Sequence, residues 1–128
     1  MSYYFSRSID APFNEAVARS KESLSKHGFG VLCEIDVAAT MKAKLSADMP
    51  PYVILGACSP RHAFRALQAE PHIGSMLPCN VIVRVDAAGK VEVAAVDPVA
   101  SMQAVDNQAL AEVAVEVREL LRKAVAQV

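Results

Sequence analysis

No apolar run in this 128-residue sequence approaches the roughly 18 residues a helix needs to cross a bilayer; the longest are strand-length. The start, Met1-Ser2-Tyr3-Tyr4-Phe5-Ser6-Arg7, lacks the basic opening, apolar middle and small-residue cleavage site of a signal peptide. An excess of either charge is also missing. Thirteen basic residues stand against fourteen acidic ones, a formal net charge of −1, so no electrostatic footprint for nucleic acid or an anionic membrane is present. Neither is expected as a partner. The nucleotide-binding and hydrolytic signatures G-x-G-x-x-G, G-x-x-x-x-G-K, H-E-x-x-H and G-x-S-x-G are all absent. No C-x-x-C occurs, which removes the local dithiol motif and the zinc knuckle. Three cysteines, Cys33, Cys58 and Cys79, are an odd number. A disulfide framework would leave one over, so free thiols in a reducing, cytoplasmic setting are the expectation.

What is present is the composition of a folded globule, 53% hydrophobic and 21% charged. The length is enough to bury most of the apolar surface of one domain over residues 1–128, and no repeat, low-complexity tract or linker suggests a second. Tyr3, Phe5 and Ile9 alternate with polar residues, which predicts an opening strand whose apolar face is interrupted by Arg7. Pro12 suits a first helical turn, and Phe13, Val17, Ser20 and Leu24 recur at helical spacing up to a stop at Gly28. From Phe29 the period becomes two, placing Val31, Cys33, Ile35 and Val37 on one face and Glu34 and Asp36 on the other.

A short helix or helical turn is expected over Ala38–Ala47, ended by Pro50-Pro51. Tyr52–Cys58 is apolar on both faces, as a central strand would be. Ser59-Pro60 reads as an N-cap and a first-turn proline, and the helix so begun should end at Glu70-Pro71. Residues 72–78 are read as a loop. Cys79–Val85 and Lys90–Val96 are two strands of an antiparallel hairpin joined through Asp86-Ala87-Ala88-Gly89. A last helix from about Asn107 to Ala126 follows. The order β-α-β-(α)-β-α-β-β-α predicts an α+β fold, one mixed sheet of about five strands with helices packed on it.

Candidate chemistry is densest in Leu55–His62 together with Leu77–Asn80. Cys58 stands where a strand enters a helix N-terminus, a position that favours a thiolate, and Cys79 opens the next strand. Gly56 leaves room above its strand for a ligand or for a neighbour. The plain alternative for both cysteines is packing, since buried cysteine behaves as a small apolar residue. Cys33 shares the phase of Val31 and Ile35 and is expected in the core. His62 and His72 are read first as surface or capping residues, because only a closed set of ligands makes a metal site. Glu34 and Asp36 are read as a solvated strand face, and Lys42 and Lys44 as a solvated helix face. The Tyr52 hydroxyl and Asn80 amide hydrogen-bond locally or point into a pocket.

Several short motifs in order, Gly28-Phe29-Gly30-Val31-Leu32, Glu34-Ile35-Asp36-Val37, Tyr52-x-Ile54-Leu55-Gly56-Ala57-Cys58-x-Pro60, Ala66–Gly74 and Leu77-Pro78-Cys79-Asn80-Val81, resemble the bacterial and archaeal family known as domain of unknown function 302. The resemblance spans nearly the whole chain. It implies a compact α+β fold and a homodimer, and it implies no particular reaction or cofactor. It directs attention to Glu34, Asp36, Lys44, Tyr52, Cys58, Glu70, Cys79 and Asn80, while Cys33 departs from the polar residue expected at its place.

Three functions are consistent with these readings. The first is a module binding a small molecule or metal beside Cys58 and Cys79. The second is a thiol enzyme or redox sensor in which Cys79 resolves an oxidised Cys58. The third is a structural or interaction protein whose cysteines pack.

Overall fold

The computed structural model describes residues 2–128. Strand β1 (Tyr4–Ile9) is followed by helix α1 (Phe13–Lys26), β2 (Gly30–Asp36), α2 (Val37–Leu45), β3 (Tyr52–Cys58) and α3 (Pro60–Ala69). A 3-10 segment (Pro71–Met76) then leads to β4 (Cys79–Val85), β5 (Val91–Val96), the four-residue α4 (Pro98–Ser101) and the long α5 (Gln108–Ala126). The strands form one sheet in the order β1-β5-β4-β3-β2. Every neighbouring pair runs antiparallel, so the sheet has one sense of pairing where both had been expected.

Period-two alternation puts the apolar residues of the central strands on one face. Val53 pairs with Val83 and Val83 with Val93; Leu55 pairs with Val81 and Val81 with Ala95. All six are buried. Over them lie Ala16, Val17 and Leu24 of α1 and Leu110, Val113, Val117, Leu121 and Ala124 of α5, in a shared core. Burial of a leucine such as Leu24, Leu55 or Leu121 contributes about 2 kcal/mol. The two buried serines of α1 are satisfied: the Ser20 hydroxyl donates to Ala16 O (2.7 Å) and the Ser23 hydroxyl to Ala124 O (2.5 Å), the latter tying α1 to α5.

Turn chemistry works as its residues require. Gly28 closes α1 at φ +86°, with its N–H on Ser25 O and the Phe29 N–H on Leu24 O, the paired bonds of a Schellman ending. In the β4–β5 turn the Asp86 carboxylate accepts from the amides of Ala88 and Lys90, and Gly89 takes φ +81°. Arg7 does break the apolar face of β1. Its guanidinium reaches the end of α5 and donates to Ala126 O (2.7 Å) and Val128 O (2.9 Å), carbonyls that helix termini leave unpaired.

β2 departs from its expected phase. A register shift between Val31 and Cys33 leaves Val31 opposite Ala57, on the helix side, but sets Cys33 opposite Gly56 and Ile35 opposite Ile54 on the other side. Cys33 is therefore exposed and not a core residue. The same shift turns Glu34 toward the helices, where it pairs with Lys21 of α1. Of residues 72–78, expected as a loop, the first five belong to the 3-10 segment Pro71–Met76, which buries Ile73.

The opposite face of the sheet is more open. Tyr52, Ile54, Ile82, Arg84, Glu92 and Val96 are half-buried there and Asn80 is exposed. Helix α2 touches β3 but buries none of its own residues.

Candidate functional site

The end of β3 and the helix that follows it form one wall of a cavity of about 350 Å³ between sheet and helices. The sequence builds it simply. Small residues on facing elements, Ala57 on β3, Ala63 and Ala66 on α3 and Ala114 on α5, leave space that their larger neighbours do not fill. Phe29, Leu67, Leu77, Met102, Val113 and Val117 supply the apolar lining. Ser59, His62 and the two thiols are the polar exceptions.

Cys58 and Cys79 both border this space. Cys79 sits opposite Ala57 in the β3–β4 ladder, which makes Cys58 its diagonal neighbour. Cys58 is partly exposed, Cys79 is buried, and neither is in a disulfide. Burial, and then the neighbouring Cys58 sulfur, push the Cys79 thiol up to about 11. Cys79 is thus held as a neutral thiol at physiological pH.

At the start of α3 the expected cap behaves differently. Ser59 is the N-cap residue, but its side chain makes no capping bond. Its hydroxyl lies instead 2.7 Å from His62 Nδ1. The other ring nitrogen, Nε2, is 3.6 Å from Glu116 Oε1 of α5. Arg65, one turn along α3, holds the same carboxylate through both guanidinium nitrogens at 3.3 and 3.0 Å. Those hydrogen bonds hold the Glu116 carboxyl below its usual range, helped by His62. His62 had been read as a surface or capping residue; its side chain is 18% exposed and lines the cavity. Its i, i+3 spacing from Ser59 was a local signal, whereas nothing local marks Glu116, which arrives from a helix about 50 positions away.

The remaining candidates are dispersed. Asn80 and Tyr52 border a shallower groove on the open face of the sheet, with Tyr4, Ile82, Arg84 and Glu92. Glu34 bridges to Lys21, and Asp36 accepts from the Ala39 amide (2.9 Å) as the N-cap of α2. Lys44 is exposed in the last turn of α2. Glu70 ends α3, where Asn107 Nδ2 approaches its carboxylate at 3.5 Å while donating to Ala69 O at 2.8 Å. None of these six residues lines the Cys58–Cys79 cavity. The space expected above Gly56 is taken too: a Cβ there would lie 2.6 Å from Cys33 Sγ and 2.9 Å from Pro78 Cγ. Among the described residues, no three His, Cys, Asp or Glu side chains come together in a group that could hold a metal ion. Among the described residues, no helix is long and apolar enough to cross a membrane either.

The family model described as domain of unknown function DUF302 matches residues 5–128. The crystal structure of an uncharacterized conserved protein DUF302 from Bacillus stearothermophilus superposes with a TM-score of 0.92 at 27% identity, covering 99% of this chain and 98% of that one. No curated protein matches the chain in sequence.

Proposed function

For a chain that belongs to the DUF302 family, we propose a function read from its own cavity: a binding module for a small, largely apolar organic molecule held between the sheet, α3 and α5. The observation that carries this is the space itself. At about 350 Å³ it lies in the range of small-molecule sites, which combine apolar walls with a few placed polar groups. The two thiols belong to the wall. An organic ligand is favoured over a metal because the sulfurs have no third donor beside them.

The test is a thermal-shift series with 1-hexanol, p-cresol and indole, since a molecule bound only by the folded state raises the melting temperature by mass action. The parent should be stabilised by at least one of the three. Ala63→Phe, which places a ring in the cavity from its partly exposed rim, should abolish that response, and Cys58→Ser and Cys79→Ser should weaken it. Equal responses in the parent and in all three variants would remove the cavity from the account.

A second copy of the chain is proposed to dock on the open face of the sheet, where Ile54, Ile82 and Val96 stand beside Tyr4 and Tyr52. Three unpaired cysteines suit a reducing compartment, and the cytoplasm is the location we propose.

A further inference from the structure

Ser59 and His62 line the cavity and Glu116 stands behind the His62 ring, and each contact in this row has a chemical use. A serine at a helix N-cap ordinarily accepts from a first-turn amide. Ser59 forgoes it and meets the His62 ring instead. Glu116 lies on the far side of that ring at 3.6 Å, too long for a hydrogen bond but within reach of an ion pair once the ring is protonated. With the Nε2 proton directed toward Glu116, Nδ1 is left as the acceptor for the Ser59 O–H. These are the nucleophile, base and orienting carboxylate of acyl transfer, with the two ring nitrogens in exchanged roles. The space beside them is apolar and large enough for a short acyl chain.

We propose that Ser59 is the nucleophile and His62 the general base of an esterase centre whose substrates are oxygen esters of short-chain carboxylic acids, the acyl chain lying in the cavity. The proposal rests on the cavity reading above. Ser59 Oγ bonds to the ester carbonyl carbon as its proton passes to His62 Nδ1. The carbon–oxygen bond to the alcohol then breaks, and the departing oxygen takes the proton from Nδ1. Water adds to the acyl-serine, gives a proton to Nδ1, and the Ser59 oxygen leaves and recovers it. One ester and one water yield one acid and one alcohol, with no change of oxidation state. Glu116 is a positioning residue, acting through the His62 ring and on the imidazolium that each proton transfer creates.

The experiment is labelling of the whole chain with a fluorophosphonate, mapped by peptide mass spectrometry, beside hydrolysis of p-nitrophenyl butyrate. The expected result is an adduct on Ser59. Hydrolysis should fall at least 100-fold in Ser59→Ala and His62→Gln but persist in Cys33→Ser, whose exposed thiol lies outside the cavity lining. Glu116→Gln should lower kcat about tenfold with KM unchanged. No adduct on Ser59, or hydrolysis unaltered by Ser59→Ala, overturns the proposal. If the thermal shifts with 1-hexanol, p-cresol or indole survive in that same preparation, the cavity reading stands without the esterase; if they are missing as well, both fall.

Discussion

Gly56 shows how closely the residues around this site are fitted. Its backbone is in an ordinary strand, so the demand for glycine comes from space: a methyl group would meet Cys33 Sγ at 2.6 Å and Pro78 Cγ at 2.9 Å. Gly56→Ala should cost about 2 kcal/mol, in the range of core overpacking, as measured by urea denaturation. Cys33→Ala in the same chain should recover only part of this loss, because Pro78 remains. Cys79 makes a different prediction. Its folded value of about 11 stands above the ordinary 9.0, so the folded thiol keeps a proton that the unfolded one releases. The corresponding stability is intact below pH 9 and is lost as pH rises through 11. Over two pH units this amounts to about 2 to 3 kcal/mol. The stability advantage of the parent over Cys79→Ala should therefore shrink by that order between pH 8 and 11, and a constant difference would contradict the buried neutral thiol.

Among the elements, α3 and α5 matter most, because the cavity lies between them and the sheet. They are joined by Arg65 to Glu116 on the surface and by Asn107, which donates to Ala69 O while its own oxygen caps α5 through the Leu110 amide. Arg65 keeps the Glu116 carboxyl below its usual range, so this contribution is present above the ordinary carboxylate value and disappears as pH falls through the lowered one. Glu116→Gln should be less stable than the parent at pH 7 and equal to it at the acid end of a urea series. The bounds of α1 and α3 were legible because proline and glycine act locally, as at Pro12, Gly28, Pro60 and Pro71. The phase of β2 was not. Its bulge is set by pairing with β3, a long-range partner that alternation within β2 cannot report, and so Cys33 and Glu34 ended on faces opposite to those expected.

For the molecule as a whole, hydrophobic patterning carried the expectation of a five-stranded sheet with helices on it, and that architecture is present. The candidate site was only half legible. Cys58 and Cys79 come together because their strands are neighbours, and the two-residue period of β4 puts Asn80 on the other face from Cys79; Cys58 is in phase with Tyr52 and borders the cavity only because it ends β3, where the chain turns into α3. Glu116 was invisible because it depends on how α5 crosses α3. The open face leads to the prediction for assembly. Ile82→Glu puts a charge among its apolar residues without touching the helix-side core, and should convert a dimer to a monomer by light scattering at micromolar concentration. A parent that is already monomeric there would contradict the proposed second copy.

The cavity is the centre of the account, and a crystal of the protein soaked in 1-hexanol tests it most directly. Electron density for the alcohol is expected between α3, α5 and the sheet, against Cys79 and Val113; an empty cavity at saturating alcohol, or alcohol bound only elsewhere, would rule the cavity out as a binding site.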